Sequence, residues 1–344
     1  MIHSPPLAPT GMPVRLVRLG GVEGVWTQAV YHALAETMTA DSPDTILITR
    51  PATPYVCLGF HQQASRVLDQ ARCRAMGLPV VRRRVGGGLT YLDENQLFYQ
   101  FVFHHTRAPL MPTRMYADLL RGPVDGLRRL GLNARLEKTN EVEVGGRRIA
   151  GIGGGRIEEA AVVVGNYLFD FDYQAMSRVW RAPSPQFAQL AAQALGERVT
   201  TLAREGITAG FAQVEAHLVQ ALTQAMEGLG RPVAEASLTP RETAAAGEMA
   251  ARLTHPDFVA FAPEEDTPPM EELKVSARAF IHHRLWQGVY RKQPVRVVAA
   301  LRVNDGVIET ARLESTPPAD WSITAERLKG NRLDQWAAVM DEGK

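Results

Sequence analysis

The feature that most constrains this chain is Arg82-Arg83-Arg84-Val85-Gly86-Gly87-Gly88, which directly follows the β-branched run at Val80. Three consecutive glycines have a physical use here. They let main chain approach a ligand closely and expose N–H groups to phosphate or carboxylate oxygens. The arginines add permanent charge and a planar fork for the same anion. A second segment of this kind is Gly145-Gly146-Arg147-Arg148-Ile149-Ala150-Gly151-Ile152-Gly153-Gly154-Gly155-Arg156. Two such segments in one domain point to a site for an adenylate-like anion. Neither has the context of a Walker A loop or of a G-x-G-x-x-G dinucleotide loop.

Around these segments the pattern alternates between strands and helices without a regular βαβ rhythm, which predicts an α+β fold with a mixed or antiparallel sheet. Strands are expected at Val14–Leu19, Thr45–Thr49, Tyr55–Phe60, Val80–Arg84, Leu97–Phe103, Glu141–Val144 and Ala161–Phe171. The turn Pro51-Ala52-Thr53-Pro54 suggests that the second and third of these pair. Helices are expected within Val22–Met38, from Ser65 to about Met76, from Thr113 to Leu130 and over Gly210–Leu229. A short Ala-rich helix and a proline- and acid-rich loop, Ala262–Pro269, mark a domain junction. Beyond it, Leu273–His283, Val295–Val303 and Val307–Ser315 read as strands, with Asn304-Asp305-Gly306 as a hairpin turn. The expected domains are a tail over 1–12, a large domain over 13–262 and a small α+β domain over 270–344.

Composition excludes several classes. A formal charge of +1 over 344 residues gives no basis for general nucleic-acid or membrane-surface binding. No apolar run approaches the ~18–20 residues of a membrane span. The start, Met1–Thr10, lacks a basic segment followed by an apolar one and reads as a tail. Two cysteines, Cys57 and Cys73, are too few for a disulfide framework, so a reducing cytoplasm is the expected compartment.

The motifs, in order, resemble the lipoate–protein ligases, a branch of the biotin and lipoate ligase superfamily. That family's G-x-x-Q corresponds to Gly59-Phe60-His61-Gln62, and its R-R-x-S-G-G-G to the first glycine segment. Its D-x-x-N/Q-L corresponds to Asp93-Glu94-Asn95-Gln96-Leu97, and its N-D pair to Asn140-Glu141. Its G-R-K-I-S-G corresponds to Gly146-Arg147-Arg148-Ile149-Ala150-Gly151, and its R-V-T-N-L to Arg198-Val199-Thr200-Thr201-Leu202. Order and spacing agree over roughly residues 14–230, and more weakly beyond.

The resemblance implies ATP-dependent attachment of lipoate, or a similar medium-chain acid, to a lysine of a lipoyl-carrier domain, with Mg²⁺ and an acyl-adenylate intermediate. It assigns Arg83 and the amides of Gly86, Gly87 and Gly88 to acyl and phosphate contacts. Arg148 stands where the family has a catalytic lysine. Asn140 and Glu141 support phosphate or metal, Arg156 belongs to the second anion-binding segment, and Val85 and Tyr91 are wall residues of the acyl tunnel. Lys138 is the one lysine of the large domain and a second candidate for the missing amine, set against an ordinary solvated lysine.

The departures from the pattern are Val85 for serine, Glu141 for aspartate, Arg148 for lysine and Val164 for histidine. They keep two alternatives open: a non-catalytic binder of lipoate or lipoyl protein, and an ATP-independent octanoyl or lipoyl transferase. The transferase needs a cysteine nucleophile, and neither Cys57 nor Cys73 stands where such enzymes carry theirs. His104-His105 has no metal-type neighbour in the sequence and reads as a surface pair.

Overall fold

A computed structural model of the chain describes residues 12–259 and 267–342. The expected tail lies, but for its last residue, outside the described residues, as do residues 262–266 of the acidic loop. Two compact units are present. The first comprises residues 12–64, 71–172 and 200–259, and the second residues 65–70, 173–199 and 267–342.

The strands of the first unit are β1 (Val14–Val22), β2 (Thr45–Pro51), β3 (Tyr55–Leu58), β4 (Val80–Arg82), β5 (Thr90–Leu92), β6 (Gln96–His104), β7 (Ala134–Glu137), β8 (Glu141–Val144), β9 (Arg147–Ala150), β10 (Ile152–Ile157), β11 (Ala160–Leu168) and β12 (Val233–Ala236). A six-stranded sheet has the order β10-β11-β6-β2-β1-β12. It is mixed: β1 runs parallel to β2 and β12, and the other pairs are antiparallel.

Both faces of the sheet's centre are covered, so β2 and β6 are apolar on both sides. In β6, Leu97, Tyr99, Phe101 and Phe103 join one core cluster, and Phe98 and Val102 join the other. This is the period of two expected when side chains alternate across a sheet. The first face packs on the helices Pro112–Arg129 and Phe211–Glu227. Those helices approach closely at Gly122, where an added Cβ would lie 2.9 Å from the Leu222 Cα. The second face packs on the helices Trp26–Glu36 and Pro240–Thr254. The latter is started by a capping box, Thr239 with Glu242.

The structure corrects the expected pairing of Thr45–Thr49 with Tyr55–Phe60. β2 lies in the large sheet, whereas β3 sits between β4 and β5 in a separate three-stranded sheet. The expected helix from Ser65 to Met76 is two short ones, Ala64–Val67 and Gln70–Ala75. The glycine- and arginine-rich stretch between the two expected strands itself forms β9 and β10.

In the second unit, β13 (Glu272–Lys274), β14 (Ala279–Tyr290), β15 (Gln293–Asn304) and β16 (Val307–Thr316) form an antiparallel sheet in chain order. The expected strand over Leu273–His283 is therefore split, and its second part continues seven residues further. Its core gathers Trp286, Val297, Leu301, Ile308 and Trp321. The helices Tyr173–Val179 and Pro185–Arg198 belong to this unit and were not anticipated. Among the described residues no helix is long and apolar enough to cross a membrane.

Candidate active site

The first glycine segment leaves β4 and is held from below by its own arginines. Arg82 is buried and donates to the carbonyls of Gly59, Phe60, Gln62 and Val259. Arg83 is buried too. Its Nε and Nη2 reach the Gly86 carbonyl at 3.2 and 3.1 Å, Nη2 the Gly88 carbonyl at 2.8 Å, and Nη1 the Cys57 carbonyl at 3.3 Å. All of these partners are neutral, so its charge stays uncompensated beneath the loop. Arg84 turns outward to Glu36 and Glu158, at 2.5 and 2.8 Å.

The turn Gly59–Gln62 clasps the same loop. Phe60 N–H donates to the Val85 carbonyl, and Arg83 N–H to the Leu58 carbonyl. A Cβ on Gly59 would lie 1.9 Å from the Gly87 oxygen. Only glycine permits that approach.

The two glycine segments meet. Gly86 N–H donates to the Gly154 carbonyl at 3.2 Å, and a Cβ on Gly153 would stand 2.9 Å from the Gly86 oxygen. β10 thus offers a bare backbone surface on which the loop lies. Gly86 spends its N–H there. Gly87 and Gly88 are exposed, and their N–H groups take no partner among the described residues. Two exposed amides over a buried, uncompensated guanidinium fit an anion such as a phosphate or carboxylate. Val85 is buried against Gly155, and Arg156 points to solvent, where it pairs with Glu159.

Arg148 and Glu141, two separate candidates in the sequence, are partners across the β8–β9 hairpin. Arg148 Nε and Nη2 both donate to Glu141 Oε2, at 3.0 and 2.7 Å. The Glu141 side chain is 4% exposed and that of Arg148 25%. The Arg148 carbonyl accepts from Thr200 N–H at 2.8 Å, which brings in the third motif. Asn140 is half-buried in the turn before β8, and Lys138 is exposed with a left-handed φ of 50°. Glu141 spends an oxygen on Arg148 and is buried, which does not fit a hydrated Mg²⁺ held by the protein at this residue.

Beneath the site runs a buried polar chain that sequence reading missed. Asn166 accepts from Gly151 N–H at 2.8 Å and donates to Gln96 Oε1 at 2.6 Å, and Gln96 donates to the Tyr91 carbonyl at 3.2 Å. The available signal was two amides inside apolar strands, since buried polar groups must find partners. Next to it, burial raises Asp93, while burial and then the Asp93 charge push Tyr91 up to about 12. His32 is also buried. It accepts from Arg84 N–H through Nε2 at 2.8 Å and contacts the Gln28 carbonyl through Nδ1 at 2.7 Å. Burial lowers it to about 3, so it is neutral. Cys57 and Cys73 are both buried, and burial pushes the Cys57 thiol up.

The family model for the lipoyl protein ligase A/B catalytic domain matches residues 25–223. An octanoyltransferase LipM from Symbiobacterium thermophilum is 27% identical over 234 residues, covering 58% of this chain and 85% of that protein. A bi-partite lipoate protein ligase from Thermoplasma acidophilum, solved in a study of that ligase and its E2 lipoyl domain, superposes with a TM-score of 0.65. It is 22% identical and covers 74% of this chain and all of that one. A lipoate-protein ligase A bound with ATP gives a TM-score of 0.61 at 21% identity, covering 73% of this chain and all of that one.

Proposed function

This chain belongs to the lipoyl protein ligase A/B catalytic-domain family, and from that premise we propose that it is an ATP-dependent ligase acting through an acyl-adenylate. Its substrates are lipoate, or a similar medium-chain acid, MgATP and a lysine of a lipoyl-type carrier domain, in the cytoplasm. The first unit carries the chemistry, and the second, which takes in residues 65–70 and 173–199 besides 267–342, is the accessory domain. The observation that carries this reading is the state of the cysteines. A transferase of this family would need an accessible thiolate. Cys57 and Cys73 are 0% and 1% exposed, and the Cys57 thiol is held protonated by burial.

In this reaction the acid's carboxylate oxygen attacks the α-phosphorus of ATP and pyrophosphate leaves. The carrier amine then attacks the acyl carbon, forming the amide, and AMP leaves with the bonding pair. The protein supplies position and charge and no covalent nucleophile. The Gly87 and Gly88 amides hold anionic oxygens, and the Arg83 charge beneath them favours negative charge while its hydrogen bonds fix the loop. Arg148, oriented by Glu141, stabilises charge at the reacting phosphate. Mg²⁺ comes with ATP on its phosphate oxygens. Val85 and Tyr91 line the acyl chain's path.

A second reading, ATP-independent octanoyl transfer, is favoured by the similarity to the Symbiobacterium protein. One experiment separates the two. Lipoyl-type carrier domains are incubated with the protein and lipoate plus MgATP, or with octanoyl carrier protein without ATP, and weighed by mass spectrometry. The ligase predicts an ATP-dependent gain of one lipoyl group that persists in Cys57→Ser/Cys73→Ser. A gain without ATP that the double substitution removes would overturn it. No gain on any carrier, with lipoate binding intact, would leave a binder.

A further inference from the structure

Metal-type ligands that are distant in sequence converge at the far end of the β10–β11 hairpin. His104 ends β6, His105 follows in a short 3-10 turn, and Glu159 lies between β10 and β11. The spacing is set by backbone. Ala160 pairs with His104 in the β6–β11 ladder, and His105 N–H donates to the Glu159 carbonyl at 2.8 Å. Glu159 Oε2 is 3.0 Å from His105 Nδ1 and 3.9 Å from His104 Nε2. One ligand atom from each residue falls within a group spanning 4.8 Å.

We propose that His104, His105 and Glu159 form a site for a divalent transition-metal ion of the Zn²⁺ class, with its remaining coordination positions open to water. Bonds of about 2.0–2.1 Å in a tetrahedral arrangement separate donor atoms by roughly 3.3–3.4 Å. The two distances to Glu159 straddle that value, and its half-exposed side chain has room to adjust. Two imidazoles and one carboxylate select zinc, cobalt or nickel over magnesium and calcium, which require oxygen ligands.

Both rings already have polar partners, and His105 Nδ1 lies 3.2 Å from the Glu159 carbonyl as well as near its carboxylate. His104 is 5% exposed, and its Nδ1 meets the Thr106 hydroxyl at 2.8 Å and the Thr106 N–H at 3.4 Å. Nε2 is therefore the nitrogen turned to Glu159, and it offers its lone pair to an ion in the tautomer whose proton sits on Nδ1 and is donated to the Thr106 hydroxyl. Of the nearby cations, Arg107 shares Asp44 with the buried Arg231, and Asp44 Oδ1 also accepts from His104 N–H. Arg156 uses the other carboxylate oxygen, Glu159 Oε1, at 3.2 Å. Neither occupies a coordinating atom. The same turn is tied to Arg84 through Glu158 at 2.8 Å. An ion here would thus fasten to β6 the hairpin that carries Gly153–Gly155, a role independent of which acyl reaction the protein performs.

The test is a Co²⁺ titration of chelator-treated, untagged full-length protein, followed by visible absorption, with Zn²⁺ competition and thermal unfolding in parallel. One equivalent of Co²⁺ is expected to give a d–d band that Zn²⁺ abolishes, with a higher unfolding midpoint. His105→Ala and Glu159→Gln are each expected to weaken binding at least about tenfold and to remove the thermal shift. Both residues are partly exposed, so the unloaded variants should match the parent by circular dichroism. The proposal is overturned if no stoichiometric band appears. Binding and thermal shift unchanged in His105→Ala/Glu159→Gln would also overturn it, placing the ion on other histidines.

Discussion

Gly59→Ala tests the claim that the anion loop is set by its neighbours and not by its own three glycines. The added Cβ would lie 1.9 Å from the Gly87 oxygen and 2.9 Å from its carbon, whereas real Cβ contacts essentially never fall under 3.0 Å. The obstacle is backbone, so the loop must move by about 1 Å, and a shift of that size costs on the order of 10²-fold in a positioned reaction. The move also pulls Gly86 and Gly88 away from Arg83, and forced overpacking destabilises by about 1–3 kcal/mol. Gly86→Ala is the control. Its Cβ would meet only the Gly154 oxygen, at 3.6 Å, an ordinary contact. Pyrophosphate release gives kcat/KM, calorimetry with lipoate and ATP gives binding, and circular dichroism confirms folding. Gly59→Ala should lose about 10²-fold in kcat/KM, and Gly86→Ala at least tenfold less. A folded Gly59→Ala protein with kcat/KM within about twofold of the parent would refute the argument.

Two further outcomes follow from buried charge. Arg148→Ala removes the guanidinium paired with the buried Glu141 carboxylate and should cost about 1–3 kcal/mol in urea unfolding, a buried-pair penalty discounted for the partly exposed guanidinium. Arg148→Ala/Glu141→Gln should recover part of that loss, and strict additivity of the two single changes would contradict the pairing. Arg148→Ala should also lose at least about 10²-fold in adenylate formation. His32, held near 3 in the folded protein against about 6.5 when unfolded, binds its proton in the unfolded chain first. Stability is therefore complete above about pH 6.5 and falls by roughly 1.4 kcal/mol per pH unit below it. His32→Gln should flatten that slope between about pH 6.5 and 5, and equal slopes would show that another group titrates.

The core strands were legible as short β-branched or aromatic runs, the pattern left when both sheet faces are covered, as in β6. What the sequence could not say is which sheet a strand joins. Pro51–Pro54 looks like a hairpin turn, yet β2 and β3 part there, because β1 and β6 claim β2. β10 was hidden for a different reason. Three glycines have little strand preference, and the ladder with β11 decides their conformation. The helix Pro185–Arg198 did carry a start signal, Ser184 capping the Phe187 N–H with Pro185 in the first turn. At the site, arginine beside glycine suggested direct anion contact. Composition does not reveal that Arg82 and Arg83 turn to carbonyls, nor that Glu141 and Arg148 face each other across a hairpin.

The second unit is assembled from three separate stretches of chain. One consequence concerns how this protein can be shortened. A chain ended at residue 261 would keep the helix Pro185–Arg198 and lose β14 and β15, against which it packs. Phe187, Leu190, Ala191 and Ala194 are now buried. They would become a sticky flank, and self-association on that flank, not loss of the glycine loop, is what such a truncation would display first.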